Sequence, residues 1–77
     1  MMTADGFDEA IIGSITSYGR SETVLYSTKK IIEIMMERDA MTAEDAMEFF
    51  NFNILGSYNG DGVPAFLNDH EQRLYYL

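Results

Sequence analysis

The sequence contains no cysteine, one histidine, one proline and five basic residues among its 77 positions. Without cysteine, the chain forms neither a disulfide bond nor a thiolate metal site. One imidazole is too few for a zinc site built within a single chain. A Ser-His-acid triad would depend on His70, which stands in a polar C-terminal stretch where we expect a solvated side chain.

Two other kinds of site lack their sequence patterns. No glycine-rich loop followed by Lys-Ser or Lys-Thr is present to hold a phosphate group. The turn-forming residues 59–62 include oxygen ligands, but the closing glutamate of a calcium loop is missing. We therefore expect no enzyme activity and no bound cofactor or metal. The alternative, an enzyme, would require four aspartates to meet at one metal ion: Asp5, Asp8, Asp61 and Asp69.

The chain also lacks an apolar run near the roughly 18 residues that a membrane span needs, and its N-terminal residues do not resemble a signal peptide. Together with the missing cysteine, this favours a soluble cytoplasmic protein. A hydrophobic content of 47%, with five phenylalanines and five tyrosines, is enough for one small core and argues against disorder. We expect a flexible N-terminus at residues 1–8, a domain at residues 9–67 and a tail at residues 68–77.

The net charge is −8, from 13 acidic and five basic residues. A negative field of this kind repels nucleic acid and anionic lipid and attracts basic protein surfaces. A net charge of about 2 to 8 is also common in small domains that are simply well dissolved. The charge therefore predicts the sign of a partner surface without proving that a partner exists.

The first half of the chain predicts a hairpin and then a helix. Residues 9–18 are rich in isoleucine and favour a strand, with Gly13 at a bulge. Gly19 then supplies a turn with positive φ, and residues 23–26 form the second strand. Ser27 and Thr28 begin a helix that runs to about residue 39. Its apolar arc predicts burial on two sides: Ile31, Ile32, Ile34, Met35 and Met36.

The second half predicts another helix and a second hairpin. Thr42 caps a helix that ends near residues 51–53, with Met47 and Phe50 on its core face. Residues 54–58 and 63–67 form two strands around the turn at 59–62, and Pro64 assigns the last strand to an edge. The predicted fold is α+β, in the order β-β-α-α-β-β. Two helices cover one face of a small antiparallel sheet made of two hairpins.

Acidic side chains recur along both predicted helices. Glu33 and Glu37 are four residues apart on the first helix, and Glu44 and Glu48 are four apart on the second, with Asp45 beside them. Like charges at this spacing weakly destabilise a helix, so the helices carry a ridge of negative charge. The simplest interpretation is a solvated face; the functional interpretation is a surface for a basic groove that normally holds nucleic acid.

Aromatic residues outside the core stripe are the second anomaly. Phe49 and Phe52 lie off the core face of the second helix, and Tyr75 and Tyr76 lie near the end of the chain. Exposed aromatic clusters commonly mark interfaces. We therefore expect these side chains to form either a contact with a partner or the seam of a homodimer.

About half of the chain resembles a family of short phage and prophage proteins. In that family, a helix ending in an E-R-D-G-M-T-like segment leads to an E-F-F-E-F-N-like segment and a closing P-x-F strand. The chain matches this pattern between Ile31 and Phe66, although it has Ala40 where the family pattern has glycine and adds a tail after Leu67. The matching positions are Glu37-Arg38-Asp39, Met41-Thr42, Glu44, Ala46, Phe49-Phe50, Phe52-Asn53, Gly56, Tyr58 and Pro64-Ala65-Phe66.

The resemblance implies a viral accessory protein in the cytoplasm of an infected host cell. Such proteins often bind and inhibit host machinery, including CRISPR effectors and other defence complexes. We therefore expect an anti-CRISPR-like inhibitor whose partner is a host protein or ribonucleoprotein with a basic surface, without direct contact to nucleic acid or membrane. The alternative is a non-enzymatic interaction or homo-oligomerisation module that uses the exposed aromatics. The expected partner-binding residues are Glu33, Glu37, Glu44, Asp45, Glu48, Phe49, Phe52, Tyr75 and Tyr76.

Overall fold

The computed structural model describes residues 3–58, 60 and 62–70. These residues form a small α+β fold with a three-stranded mixed sheet and two α-helices. A 3-10 turn at Asp8–Ala10 precedes the strands and helices. They follow in this order: β1 Ile11–Ile15, β2 Thr23–Ser27, α1 Thr28–Arg38, α2 Ala43–Phe49 and β3 Ala65–Leu67.

The β1–β2 hairpin confirms the first predicted hairpin, although β1 is shorter than the predicted strand at residues 9–18. The two strands pair antiparallel, and their register shifts between Ile11 and Gly13, which is the predicted bulge. Gly19 has φ 77°, in the left-handed region that a residue with a Cβ rarely adopts. The hairpin therefore follows from local sequence alone.

The second predicted hairpin is wrong. Residues 54–58 do not form a strand, because the chain continues from α2 through a π-helical turn at Phe50–Ile54 and a 3-10 turn at Leu55–Ser57. β3 then pairs parallel with β2, so the sheet is mixed and has the order β1-β2-β3. Two helices lie between β2 and β3, and a crossover of this kind returns the chain in the same direction. β3 is an edge strand, as predicted, but it begins at Ala65, so Pro64 precedes the strand and does not lie within it.

Both predicted helix N-caps are present. The Ser27 hydroxyl accepts a hydrogen bond from the Lys30 amide at 3.2 Å, and the Thr42 hydroxyl accepts one from the Asp45 amide at 3.1 Å. A capping oxygen satisfies one of the backbone N–H groups that have no partner in the first turn of a helix. After α1 ends, Ala40 adopts φ 56°, a left-handed conformation that glycine usually supplies.

The core lies between the hairpin and the helices. Tyr26, Ile31 and Met35 are fully buried. The Tyr26 ring stacks on Phe66 with 5.7 Å between ring centroids, and Phe50 meets Phe66 edge-on at 5.2 Å. Phe66 therefore connects the parallel strand to both the hairpin and the segment after α2.

Met36 was predicted in the core, but its side chain is 40% exposed. It lies at the limit of the wide apolar arc of α1, where the described residues do not cover the helix. Met47 is partly buried and packs against the core cluster. The described residues therefore cover less of α1 than the width of its apolar arc predicted.

The described part of the N-terminal segment, residues 3–8, packs against the rest of the fold. Ala4 and Phe7 belong to the buried core, and the Ala4 amide donates a hydrogen bond to the Tyr26 phenol oxygen at 2.7 Å. Arg38 donates to the Gly6 carbonyl at 2.9 Å and lies over the Phe7 ring, 5.0 Å from its centroid. These contacts attach the segment to β2 and α1.

Candidate protein interaction surface

A groove of about 670 Å³ runs between α1 and α2. Its floor includes Ile32, which is buried, and Met47, which is half-buried. Both side chains face inward because the two helices pack their apolar stripes against each other and against the sheet. The residues that line the groove are Lys29, Ile32, Glu33, Ala43, Glu44, Met47, Glu48, Asn51, Phe52 and His70.

Three of the predicted partner-binding acids meet at this groove. Glu33 reaches it from α1, and Glu44 and Glu48 reach it from α2, one helical turn apart. All three residues are exposed, and none forms a salt bridge with another described residue. Lys29 is the one lysine or arginine among the lining residues. The rim of the groove is therefore predominantly negative above an apolar floor.

A smaller depression continues this surface on the other side of α2. Its lining includes Asp45 and Phe49 together with Glu48 and Phe52, which also line the groove. Acidic and aromatic side chains that the sequence treated as separate features are thus neighbours. We call this surface the acidic helical surface and define it by six residues: Glu33, Glu44, Asp45, Glu48, Phe49 and Phe52.

Phe52 is the more exposed of the two aromatic side chains on the acidic helical surface. It is 77% exposed and Phe49 is 41% exposed, whereas Phe50 between them is 3% exposed. The alternation follows the helical path, since Phe50 lies on the core face and Phe52 lies opposite to it. Within the π-helical turn, the Leu55 amide donates to the Phe50 carbonyl. Turns of this type occur frequently at functional sites.

The remaining predicted site residues are not part of this surface. Glu37 lines a separate depression beside the N-terminal segment, together with Gly6, Glu9 and Arg38. Tyr75 and Tyr76 lie outside the described residues. The structure therefore brings together six of the nine residues that the sequence predicted.

Sequence reasoning missed the groove itself and the groups that stand beside the acids. His70 lines the groove, and its Nδ1 atom is buried without a hydrogen-bond partner among the described residues. Leu55, assigned to a strand from the sequence, is helical and 49% exposed. The apolar residues of α1 and α2 predicted helix packing, but no pattern in the sequence predicted the space between the two helices.

Asp69 is also positioned by tertiary structure. Its carboxylate accepts hydrogen bonds from the Ser27 hydroxyl at 2.5 Å and from the Lys29 amide at 2.9 Å. Burial raises the pKa of Asp69, but these two bonds, its own amide and the nearby His70 charge outweigh burial and lower the pKa. Asp69 therefore stabilises the start of α1 as an anion, next to the groove.

The described residues also bear on metal binding and membrane insertion. Within residues 3–58, 60 and 62–70, no three histidine or acidic side chains are placed to hold a metal ion. Asp61, which the enzyme alternative requires, lies outside those residues. No helix in the described part of the chain has the length and apolar character needed to cross a membrane.

Comparisons of the chain with protein-family models, with curated proteins and with solved structures found no match.

Proposed function

We propose that the protein is an inhibitor that binds a host defence complex, and that its acidic helical surface occupies a basic groove which normally holds nucleic acid. The observation that supports this proposal is the position of Glu48 and Phe52. Both residues line both depressions and so join the acids and the aromatics into one surface. A basic partner would meet charge and apolar contact area at the same place.

The two kinds of side chain have different roles in this proposal. The carboxylates of Glu33, Glu44 and Glu48 attract a positive surface, raise the rate of encounter and select against acidic partners. Phe52 and Phe49 supply the apolar anchors that account for much of the affinity in many interfaces. Binding should therefore weaken as salt concentration rises, because exposed charges are screened over about 10 Å at 0.1 M salt.

The class of partner comes from the resemblance to short phage and prophage proteins. In such proteins, inhibition of host defence machinery, CRISPR effectors included, is a common activity. A nucleic-acid groove in a defence complex is lined by lysine and arginine, and the net charge of −8 is suited to such a surface.

Self-association through the aromatics is the second candidate, and the 77% exposure of Phe52 favours it. In that arrangement, Asp45 and Glu48 of two copies would lie close together, since both acids line the same depression as Phe49 and Phe52. Like charges at an interface weaken association. We therefore prefer a basic partner for this surface.

A pair of double charge reversals tests the proposal. Glu44→Lys with Glu48→Lys changes the acidic helical surface, whereas Asp5→Lys with Glu37→Lys makes the same change in net charge at two exposed acids that lie outside that surface. We expect immobilised wild-type protein to retain a nucleic-acid-binding complex from host extract and to release it when nucleic acid is added. The first double variant should lose this complex and the second should keep it.

The opposite results would overturn the proposal. Equal loss in both double variants would mean that net charge, and not this surface, determines binding. If added nucleic acid does not release the retained complex, the protein does not occupy a nucleic-acid groove.

A further inference from the structure

β1 is rich in apolar residues and is nevertheless exposed to solvent. It contains three isoleucines in five residues, yet all five residues are exposed. Ile11, Ile12 and Ile15 are 38%, 42% and 38% exposed. Each isoleucine therefore leaves more than a third of its surface open to solvent, on one short strand. A second surface placed against β1 would remove this apolar area from water.

The outer edge of β1 has no neighbouring strand among the described residues, because the sheet order is β1-β2-β3. Unpaired edges present backbone donors and acceptors to any other strand, and proteins usually protect them with charges or proline. Between Glu9 and Arg20 the sequence contains neither a charged residue nor proline. Apart from its bulge, this edge lacks the common protections against pairing.

Isoleucine side chains occur on both faces of the strand. Ile11 is opposite Tyr26, whose side chain is in the core, and Ile15 is opposite Thr23, on the other face of the sheet. Cross-strand partners in an antiparallel pair point to the same face. A strand added at this edge would therefore cover apolar surface on both faces as well as form backbone hydrogen bonds.

We propose that this edge is a homodimer interface in which β1 of one chain pairs antiparallel with β1 of a second copy. A twofold axis through the pair would join the two sheets into one of six strands. The interface would be isologous, with the same residues contributed by each copy. It is separate from the acidic helical surface, since no β1 residue lines either depression on the helices.

Charge complementarity selects a second copy as the occupant. Asp8 and Glu9 precede β1, and Arg20 lies in the turn that follows it. In an antiparallel pair, the start of each strand lies beside the end of the other. The acidic end of one copy would thus lie near the basic turn of its partner, and symmetry repeats this arrangement at the other end.

Sedimentation equilibrium of the purified chain tests the proposal. We expect the mass to rise with concentration from 8.8 kDa towards twice that value. Ile15→Lys places a charge on the proposed interface and should keep the protein monomeric. Leu67→Lys, an equivalent change on the other edge strand at a side chain that is 45% exposed, should leave the dimer intact.

Hydrogen exchange of the wild-type protein gives a second measurement that requires no variant. Amides of residues 11–15 should exchange more slowly at concentrations where the dimer forms than at dilution. A mass of 8.8 kDa at every concentration would overturn the proposal. So would a dimer that survives Ile15→Lys in a folded protein, or one that Leu67→Lys disrupts equally.

Discussion

The carboxylate of Asp69 accepts a hydrogen bond from the hydroxyl of Ser27 at 2.5 Å, across 42 positions of the chain. Ser27 is also the N-cap of α1, so the two residues connect the end of β3 to the first turn of that helix. A negative charge at this position interacts favourably with the positive end of the helix dipole. The pair thus stabilises the helix that forms one wall of the groove.

Asp69→Asn should lower the free energy of unfolding by about 1 kcal/mol at neutral pH, a typical value for loss of a helix cap interaction. The amide retains the size of the side chain but replaces the charged carboxylate that accepts both hydrogen bonds. Urea unfolding followed by circular dichroism measures the change. Asp5→Asn, at an exposed acid whose side chain forms no hydrogen bond with another described residue, is the control and should have little effect.

The same comparison has a defined pH dependence. Because the folded-state pKa of Asp69 is lowered, its contribution is present above the unfolded pKa of about 3.9 and is lost as pH falls through the folded value. The difference in stability between wild type and Asp69→Asn should therefore shrink below about pH 4. A difference that stays constant into that range would show that the carboxylate charge does not contribute. Asp39, whose pKa is lowered by its hydrogen bond from Arg38, is common to both proteins and cancels.

Tyr26→Phe should destabilise the protein although the ring is retained. The phenol oxygen accepts the Ala4 amide at 2.7 Å, and its loss leaves a buried N–H group unpaired, at a cost of about 1–3 kcal/mol. Tyr18→Phe, at a fully exposed tyrosine, provides the matched control. Urea unfolding should separate the two variants, and faster hydrogen exchange at Ala4 in Tyr26→Phe would locate the effect. Equal stabilities would contradict the role assigned to this bond.

Local signals in the sequence predicted the features that need only local information. The caps at Ser27 and Thr42 and the turn at Gly19 each depend on residues within a few positions, and each is present in the structure. The strand predicted at residues 54–58 is wrong, because a short apolar run fits a strand and a buried helical turn equally well. The helical path of this segment depends on Phe50 and Ile54 packing in the core, which a local pattern does not contain.

The position of the N-terminal segment depends on distant residues. Ala4 contacts Tyr26, 22 positions away, and Gly6 contacts Arg38, 32 positions away. The acidic helical surface has the same origin, since Glu33 meets Glu44 only after the two helices pack. The sequence predicted which side chains were unusual, and tertiary structure determined which of them are neighbours.

Ala40→Gly should stabilise the protein, which is unusual for a substitution by glycine. Ala40 has φ 56°, and the left-handed region costs a residue with a Cβ about 1–2 kcal/mol. Glycine removes this cost but has more freedom in the unfolded chain, so we expect a net gain of about 0.5–1 kcal/mol. Ala43→Gly, in α2, should instead lower stability slightly. A loss of stability in Ala40→Gly would show that the strain is absent in solution.

Substitutions at Phe50 and Phe52 should distinguish an effect on folding from an effect on binding. Phe50 is 3% exposed and meets Phe66 in the core, whereas Phe52 is 77% exposed on the acidic helical surface. Phe50→Ala should cost about 3–5 kcal/mol of stability, a large share of what a domain of this size has. Phe52→Ala should change stability by less than about 0.5 kcal/mol.

Among variants that remain folded, substitution of the exposed Phe52 should weaken binding of the proposed host complex. We expect Phe52→Ala to retain the wild-type unfolding midpoint and to lose retention of the complex, because a truncated anchor leaves the acids without apolar contact area. Phe52→Leu should restore part of the binding, since it returns most of that area without the ring. If Phe52→Ala binds as well as wild type while Glu44→Lys with Glu48→Lys does not, the surface acts through charge alone. The aromatic residues would then have no part in recognition.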